Sequence, residues 1–268
     1  RQTDRQTPTR PASCRYEVKK DPRLMDFMSD AGIFHAIALA RRVKPVTGLQ
    51  TFATVCSTWV WICRSSTLRS PQNPLGNTSS PAVAEANAMV SRMALLICFL
   101  SARFIGWVLE QPASSLMIRH PRMQMIKEFG QSDAGAALTE FHEVSTNMGG
   151  FGAATKKPTK LYSSEKWILH LHRTVPPGYK ADPEVQTVTV KDGKVTGGRD
   201  LKETQAYPIG YGQELFRAWR QHGRSEALHC LQDDISENSD EYEEDDWHDT
   251  DMQGLVRAQN VRWDAMPF

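Results

Sequence analysis

Leu49-Gln50-Thr51-Phe52-Ala53-Thr54-Val55 runs into Cys56-Ser57-Thr58-Trp59, and Ile105-Gly106-Trp107-Val108-Leu109 runs into Glu110-Gln111-Pro112. Each is a short apolar stretch rich in β-branched and aromatic residues, the pattern of a buried strand. Each stops at a side chain with chemistry of its own. The crossover between them is long enough to lay the two strands parallel. Open α/β sheets carry their sites outside the carboxyl ends of their strands. On that reading Cys56 and Glu110 face one cleft, where a thiol and a carboxylate can serve as nucleophile and proton-handling partner. A strand-end cysteine is also an ordinary small buried residue, so the pattern leaves both roles open for Cys56.

Working outward, the same alternation continues. Ser29 or Asp30 can cap a helix over about 31–42, with Ile33, Phe34, Ile37 and Ala38 on one face. Residues 64–81 are rich in Ser, Pro, Asn and Gly and read as a long loop. Met89, Met93, Leu96 and Leu100 fall at helical spacing and predict a helix over 82–103. Further on, the pattern predicts a helix over 122–129, strands at 144–148 and 160–162, and a final helix over 212–221. Asp192-Gly193 predicts a hairpin inside the Pro- and Gly-rich stretch 174–202. Strands alternating with helices predict an α/β fold with a doubly wound, mostly parallel, Rossmann-like sheet. The expected organisation is a disordered low-complexity N-terminus at 1–20, one α/β domain at 21–222 with 174–202 as a loop or hairpin insertion, and an acidic, largely disordered tail at 223–268.

Charge is divided unevenly. The chain carries 32 basic and 31 acidic residues, but Asp233 to Asp251 holds eleven of the acids and no Lys or Arg. The rest is about +12, with 20 acids against 32 bases. A basic body fits a polyanion such as DNA and predicts salt-sensitive binding, with the acidic tail as a competitor; a solvated surface made soluble by its tail fits as well. Five cysteines show no CxxC pair and no zinc spacing, and His170 and His172 lack a third ligand, so no metal is expected. The most apolar run, Met93 to Leu100, is too short to span a bilayer. No membrane is expected, and the protein reads as nuclear or cytoplasmic with reduced thiols. The opening Arg1-Gln2-Thr3-Asp4-Arg5-Gln6-Thr7 repeats with a period of four, as a translated GACA microsatellite would. Such a start leads us to expect that the true beginning of the protein lies elsewhere.

Strand-Cys, helix, strand-Glu resembles the core of the cytosine-5 DNA methyltransferases, in which a Pro-Cys motif supplies the nucleophile and a Glu-Asn-Val motif the glutamate. A more specific resemblance, over roughly 21–219, is to a divergent group of methyltransferase-like proteins from protists, dinoflagellates especially. Val55-Cys56-Ser57-Thr58-Trp59-Val60, Leu109-Glu110-Gln111-Pro112-Ala113-Ser114-Ser115, Phe151-Gly152-Ala153, Lys157-Pro158-Thr159-Lys160 and Gln205-Ala206-Tyr207-Pro208 carry it. The resemblance implies an S-adenosylmethionine-dependent enzyme acting on DNA. Cys56 would attack cytosine C6, Glu110 would hold the base at N3, and the cofactor would supply the methyl group to a base turned out of the duplex. Asp26 and Gly32, in Asp26-Phe27-Met28-Ser29-Asp30-Ala31-Gly32, would stand where the cofactor loop belongs. Arg64, Arg69, Lys156, Lys157 and Lys160 would lie near phosphates, and Trp59 could stack on the extruded base. Four departures bear on activity. Val55 replaces the proline, Gln111-Pro112 replaces Asn-Val, only Lys157 and Lys160 stand near the place of the family's base-orienting arginines, and the Asp26–Gly32 segment has one glycine. They favour an inactive or incomplete methyltransferase-like protein. The competing readings are a non-catalytic, mobile-element-derived nucleic-acid-binding or interaction module, and an α/β protein with an unrelated small-molecule site.

Overall fold

The structure, a computed structural model, describes residues 26–222 apart from 46, 53–56, 61–62, 137, 181, 183–184, 193 and 201–206. In chain order its elements are α1 (Asp30–Arg41), β1 (Leu49–Phe52), a short α2 (Arg64–Thr67), α3 (Pro81–Ala102), β2 (Gly106–Pro112), α4 (Pro121–Gly130) and a short α5 (Asp133–Ala136). β3 (His142–Asn147), β4 (Pro158–Ser163), β5 (Val188–Lys191), β6 (Lys194–Gly197) and α6 (Ile209–His222) follow. The expected N-terminal segment 1–20 and the acidic tail 223–268 lie outside the described residues.

Four strands form one sheet in the order β1-β2-β4-β3. β1 and β2 pair in parallel, Leu49 opposite Gly106 and Phe52 opposite Leu109, as the two opening stretches predict. β4 runs antiparallel to both β2 and β3. Two of the three pairings are therefore antiparallel, which corrects the expectation of a mostly parallel, doubly wound sheet; the fold is mixed α/β. The cause lies in the connections. Only β1 and β2 are joined through a long helix; the ten residues between β3 and β4 carry just the 3-10 turn Met148–Phe151, and such short links favour antiparallel pairing. β5 and β6 form the expected hairpin as a separate two-stranded sheet.

α3 makes the crossover possible. Ser80 stands at its N-cap position and Pro81 opens its first turn, where a missing N–H costs nothing. Val83, Ala86, Val90, Met93, Ile97 and Leu100 recur at helical spacing and are buried. The helix is long and apolar enough to cross a membrane, yet nine of its side chains are buried within the fold, as in the core helix of a globular unit. It stops where Phe104 takes a left-handed conformation (φ 53°) and the Ile105 N–H returns to the Leu100 carbonyl at 2.9 Å. β2 follows at once, so the turn sets its register.

β2 is buried on both faces, and its side chains alternate between two cores. Trp107 and Leu109 pack with Met93, Ile97, Leu100, Met123 and Tyr162 beneath α1, α3 and α4. Val108 packs with Val144, Leu161, Met148, Trp167, Ile168 and Tyr211 beneath α6 and the 3-10 helix Lys166–Leu171. Each of these large apolar side chains adds about 1.5–3 kcal/mol of burial. Glu110 shares the parity of Val108, so the alternation points a carboxylate into the α6 side of the sheet.

Candidate functional site

Glu110 is 3% exposed and sits within β2, opposite Leu161 of β4, two residues before the strand ends. This corrects its expected place beyond the strand's carboxyl end: the antiparallel partner β4 extends the ladder to Pro112. A buried carboxylate needs a donor. The Tyr207 hydroxyl supplies one, donating to Glu110 Oε2 at 2.5 Å. Tyr207 precedes α6 and keeps 37% of its surface exposed, so the phenol stands between the carboxylate and solvent. Gly210 allows this approach, because a Cβ there would meet the Phe151 carbonyl oxygen at 2.6 Å.

Lys157 completes the cluster. Its Nζ lies 4.4 Å from the centroid of the Tyr207 ring, a cation–π contact. Burial pushes its ammonium below the ordinary lysine range, while the charge of Glu110 pulls the other way. Among the described residues Lys157 makes no ion pair within 4.0 Å. Its backbone is left-handed at φ 36°, and its carbonyl is tied down by the Met148 N–H and the Thr159 hydroxyl. Strain of that kind persists where surrounding bonds fix it, often at a binding site. Tyr211, 5.6 Å from Tyr207 between ring centroids, is driven upward in pKa by burial and then by the Glu110 charge. Glu110 and Lys157 thus offer an acceptor at the hydroxyl of a partly exposed aromatic ring and a donor over that ring. Tyr207→Phe removes the hydroxyl and leaves the ring. It is expected to cost about 1.5 kcal/mol, the low end for a bond to a charged group, because the donor itself is partly exposed and water can take its place. Urea denaturation checks the value.

The remaining predicted residues divide. Cys56 lies outside the described residues, so its distance from Glu110 is not described. Arg69 is 2% exposed, which corrects its expected place near phosphates. Its guanidinium donates to the Pro74 carbonyl (2.6 Å), Asn87 Oδ1 (2.8 Å) and the Val83 carbonyl (3.4 Å), and lies 3.4 Å above the Trp59 ring. Trp59 is fully buried under it and meets His120 edge-on, so the stacking role expected for Trp59 is corrected too. Both belong to the packing of the 64–80 loop. Arg64 turns inward, its Nε donating to the Arg69 carbonyl at 3.2 Å. Lys160 is paired with Glu143 across the β3–β4 ladder, and Lys156 is exposed.

Asp26 and Gly32 form the capped entry to α1. The Ser29 hydroxyl accepts the Gly32 N–H at 2.9 Å and donates to the Asp26 carbonyl at 2.8 Å. A Cβ on Gly32 would stand 1.8 Å from that same carbonyl oxygen. The single glycine therefore serves the chain's own turn. Arg92 closes the turn from outside by donating to the Phe27 and Ser29 carbonyls. These residues do not fit a loop that cradles S-adenosylmethionine, because the glycine's free side is filled by backbone. Among the described residues no three His, Cys, Asp or Glu side chains come together as metal ligands.

Sequence reasoning assigns no role to Tyr207, although Tyr207-Pro208 stands in one of the quoted motifs. Its partner is 97 residues away, and nothing local couples them. Compared with family models, with curated proteins and with solved structures, the chain matches none of them.

Proposed function

We propose that this chain is a cytosine-5 methyltransferase-like protein that keeps a base-holding carboxylate and does not itself bind the methyl donor. One observation carries the reading: a buried glutamate on the strand that the crossover leads to, capped by the hydroxyl of a partly exposed tyrosine. Such a carboxylate accepts from the N–H edge of a planar base, and Lys157 is near enough to the ring to donate to a neighbouring carbonyl. The parallel β1/β2 pair and its helical crossover are the repeating unit of Rossmann-like sheets, and they are what supports that part of the reading; the antiparallel β4, inside the sheet between β2 and β3, is a departure from it. DNA is the proposed polymer, and a nuclear or cytoplasmic place follows from it.

The self-capped Asp26–Gly32 turn supports inactivity. S-adenosylmethionine titrated into the protein in a calorimeter is expected to give no heat above dilution, and 5-fluorocytosine DNA to give no covalent adduct even with the cofactor added. Micromolar one-to-one binding, or an adduct that disappears in Cys56→Ser, would overturn the inactive reading. The second reading, a non-catalytic, mobile-element-derived nucleic-acid-binding module, shares these outcomes. It parts company at Glu110: Glu110→Gln weakens binding of a cytosine-containing oligonucleotide only if the carboxylate holds a base.

A further inference from the structure

The outer side of α6 is built unlike the other helices. Ile209, Gln213, Phe216 and Arg220 recur at helical spacing and are all exposed, with Arg217 beside them. The helix's one acid, Glu214, is occupied: Arg173 and Arg217 both donate to it. Apart from the amides of Gln213 and Gln221, the long side chains α6 shows to water are aromatic, apolar or cationic. Aromatic groups stand beside cations at both ends of the helix, two pairs around the buried Tyr211 at its start and one on the outer face near its end. Lys157 lies over Tyr207 just before its first turn, Arg173 lies 5.7 Å from the Phe151 ring at its flank, and Arg220 lies 5.7 Å from the Phe216 ring near its end. Phe216 is 44% exposed and packs against Trp219, tilted at 5.6 Å between centroids. At the far end His222 stacks on His170 at 4.2 Å.

We infer that this face of α6 is a docking surface for single-stranded nucleic acid, entered at the Arg220 end and leading to Tyr207 and Glu110. Its chemistry is that of sequence-tolerant strand binders, which alternate cations for phosphates with rings on which bases stack. Duplex, with its bases stacked inside, meets the cations and leaves the rings idle. A helix of fourteen residues is about 21 Å long, enough to run beside a short stretch of single strand. The complementarity is one of charge: Arg217 and Arg220 on the outer face, with Arg173 and Lys157 at its N-terminal end, outnumber the two acids near them, Glu214 and Glu110. The inference rests on the proposed function for where the strand leads, and on α6 alone for where it lies.

Fluorescence anisotropy of the full chain tests it, with labelled twelve-nucleotide oligodeoxycytidylate, oligocytidylate and a DNA hairpin as probes, at 50 and 200 mM salt. Single strands are expected to bind more tightly than the hairpin, and more weakly in the higher salt. Arg220→Ala is expected to reduce the slope of log affinity on log salt by about 0.7, one phosphate contact on a single strand. Phe216→Ala is expected to weaken binding about tenfold without changing that slope. Both side chains are exposed, so the melting temperature should hold. Absence of binding at 50 mM salt, equal or tighter binding of the hairpin, or wild-type affinity and slope in both variants would each overturn the surface. Comparison of the deoxy and ribo probes identifies the sugar. If the α6 variants weaken binding and Glu110→Gln does not, the surface stands and the base-holding role of Glu110 falls; the reverse result removes the surface and keeps Glu110.

Discussion

Arg69→Ala is expected to destabilise the protein by about 3–5 kcal/mol, the joint cost of buried acceptors left without a donor and a cavity beside Trp59. For a unit of this size that is a fall of roughly 10 °C in Tm. The guanidinium is the hub of the 64–80 loop. It serves two backbone carbonyls and Asn87 on α3, and its flat face covers Trp59. Truncation leaves those acceptors buried, opens a cavity against the indole, and frees a loop with few apolar anchors of its own. Arg69→Lys should recover little, because one ammonium cannot reproduce a planar fork with several directed donors. Arg69→Met should recover the packing of the stem and none of the hydrogen bonds. Thermal and urea unfolding of the three variants gives the ranking. A loss below about 1 kcal/mol for the alanine variant would show that the side chain is in solvent after all, available to a phosphate.

The second large effect depends on pH. His120 caps α4: its Nδ1 accepts the Arg122 N–H at 3.2 Å, which a protonated ring cannot do. Burial, then the charges of Arg69 and Arg122, lower its pKa from 6.5 to about 4. The folded protein therefore resists a proton that the unfolded chain takes up readily. His120 contributes fully above pH 6.5, and that contribution is lost as pH falls towards 4. A depression of this size corresponds to roughly 3 kcal/mol, and screening by whatever water reaches the ring brings the expected loss to about 2 kcal/mol. Stability measured by urea unfolding at pH 7, 5.5 and 4 should show it. His120→Asn keeps a side-chain acceptor at the cap without the titration. It should flatten the curve by about that amount, and an unchanged curve would assign the acid sensitivity to other groups.

Much of this fold can be read from the chain because its elements are long and locally consistent. α3 is fixed by Pro81 and by apolar spacing, and the β1/β2 pair by its crossover. The hairpin is fixed by Asp192, which adopts the left-handed conformation (φ 52°) that such a turn requires. The sheet's direction is less legible. Whether β4 lies beside β2 or at an edge depends on how two hydrophobic faces are shared, and no window of sequence contains both. The site follows the same division. Glu110 stands out because an acid ending an apolar run needs a partner. The identity of that partner is a tertiary fact. Arg69 and Trp59 mislead for a complementary reason: arginine and tryptophan are as suited to stacking on each other in a core as to holding a nucleotide, and only burial separates the two uses. Gly32 is a further case, since a glycine demanded by a close backbone approach looks the same whether the approaching atoms come from a ligand or from Asp26.

The strand order has a consequence for how the protein assembles as it is made. β3 leaves the ribosome before β4 yet touches the rest of the sheet only through it. The β1–α3–β2 unit can collapse first around Trp107 and Leu109, but it offers β3 no ladder. β3 must wait, pair with β4 as a hairpin, and dock as the second member of that pair. Until then the β2 edge is open, with Glu110 uncovered in it, and α6 with Tyr207 arrives later still. The carboxylate thus waits for this donor until Tyr207 has been made. Slow synthesis through residues 158–207 would lengthen the interval in which an acid, rather than another apolar residue, guards that edge against pairing with a second chain.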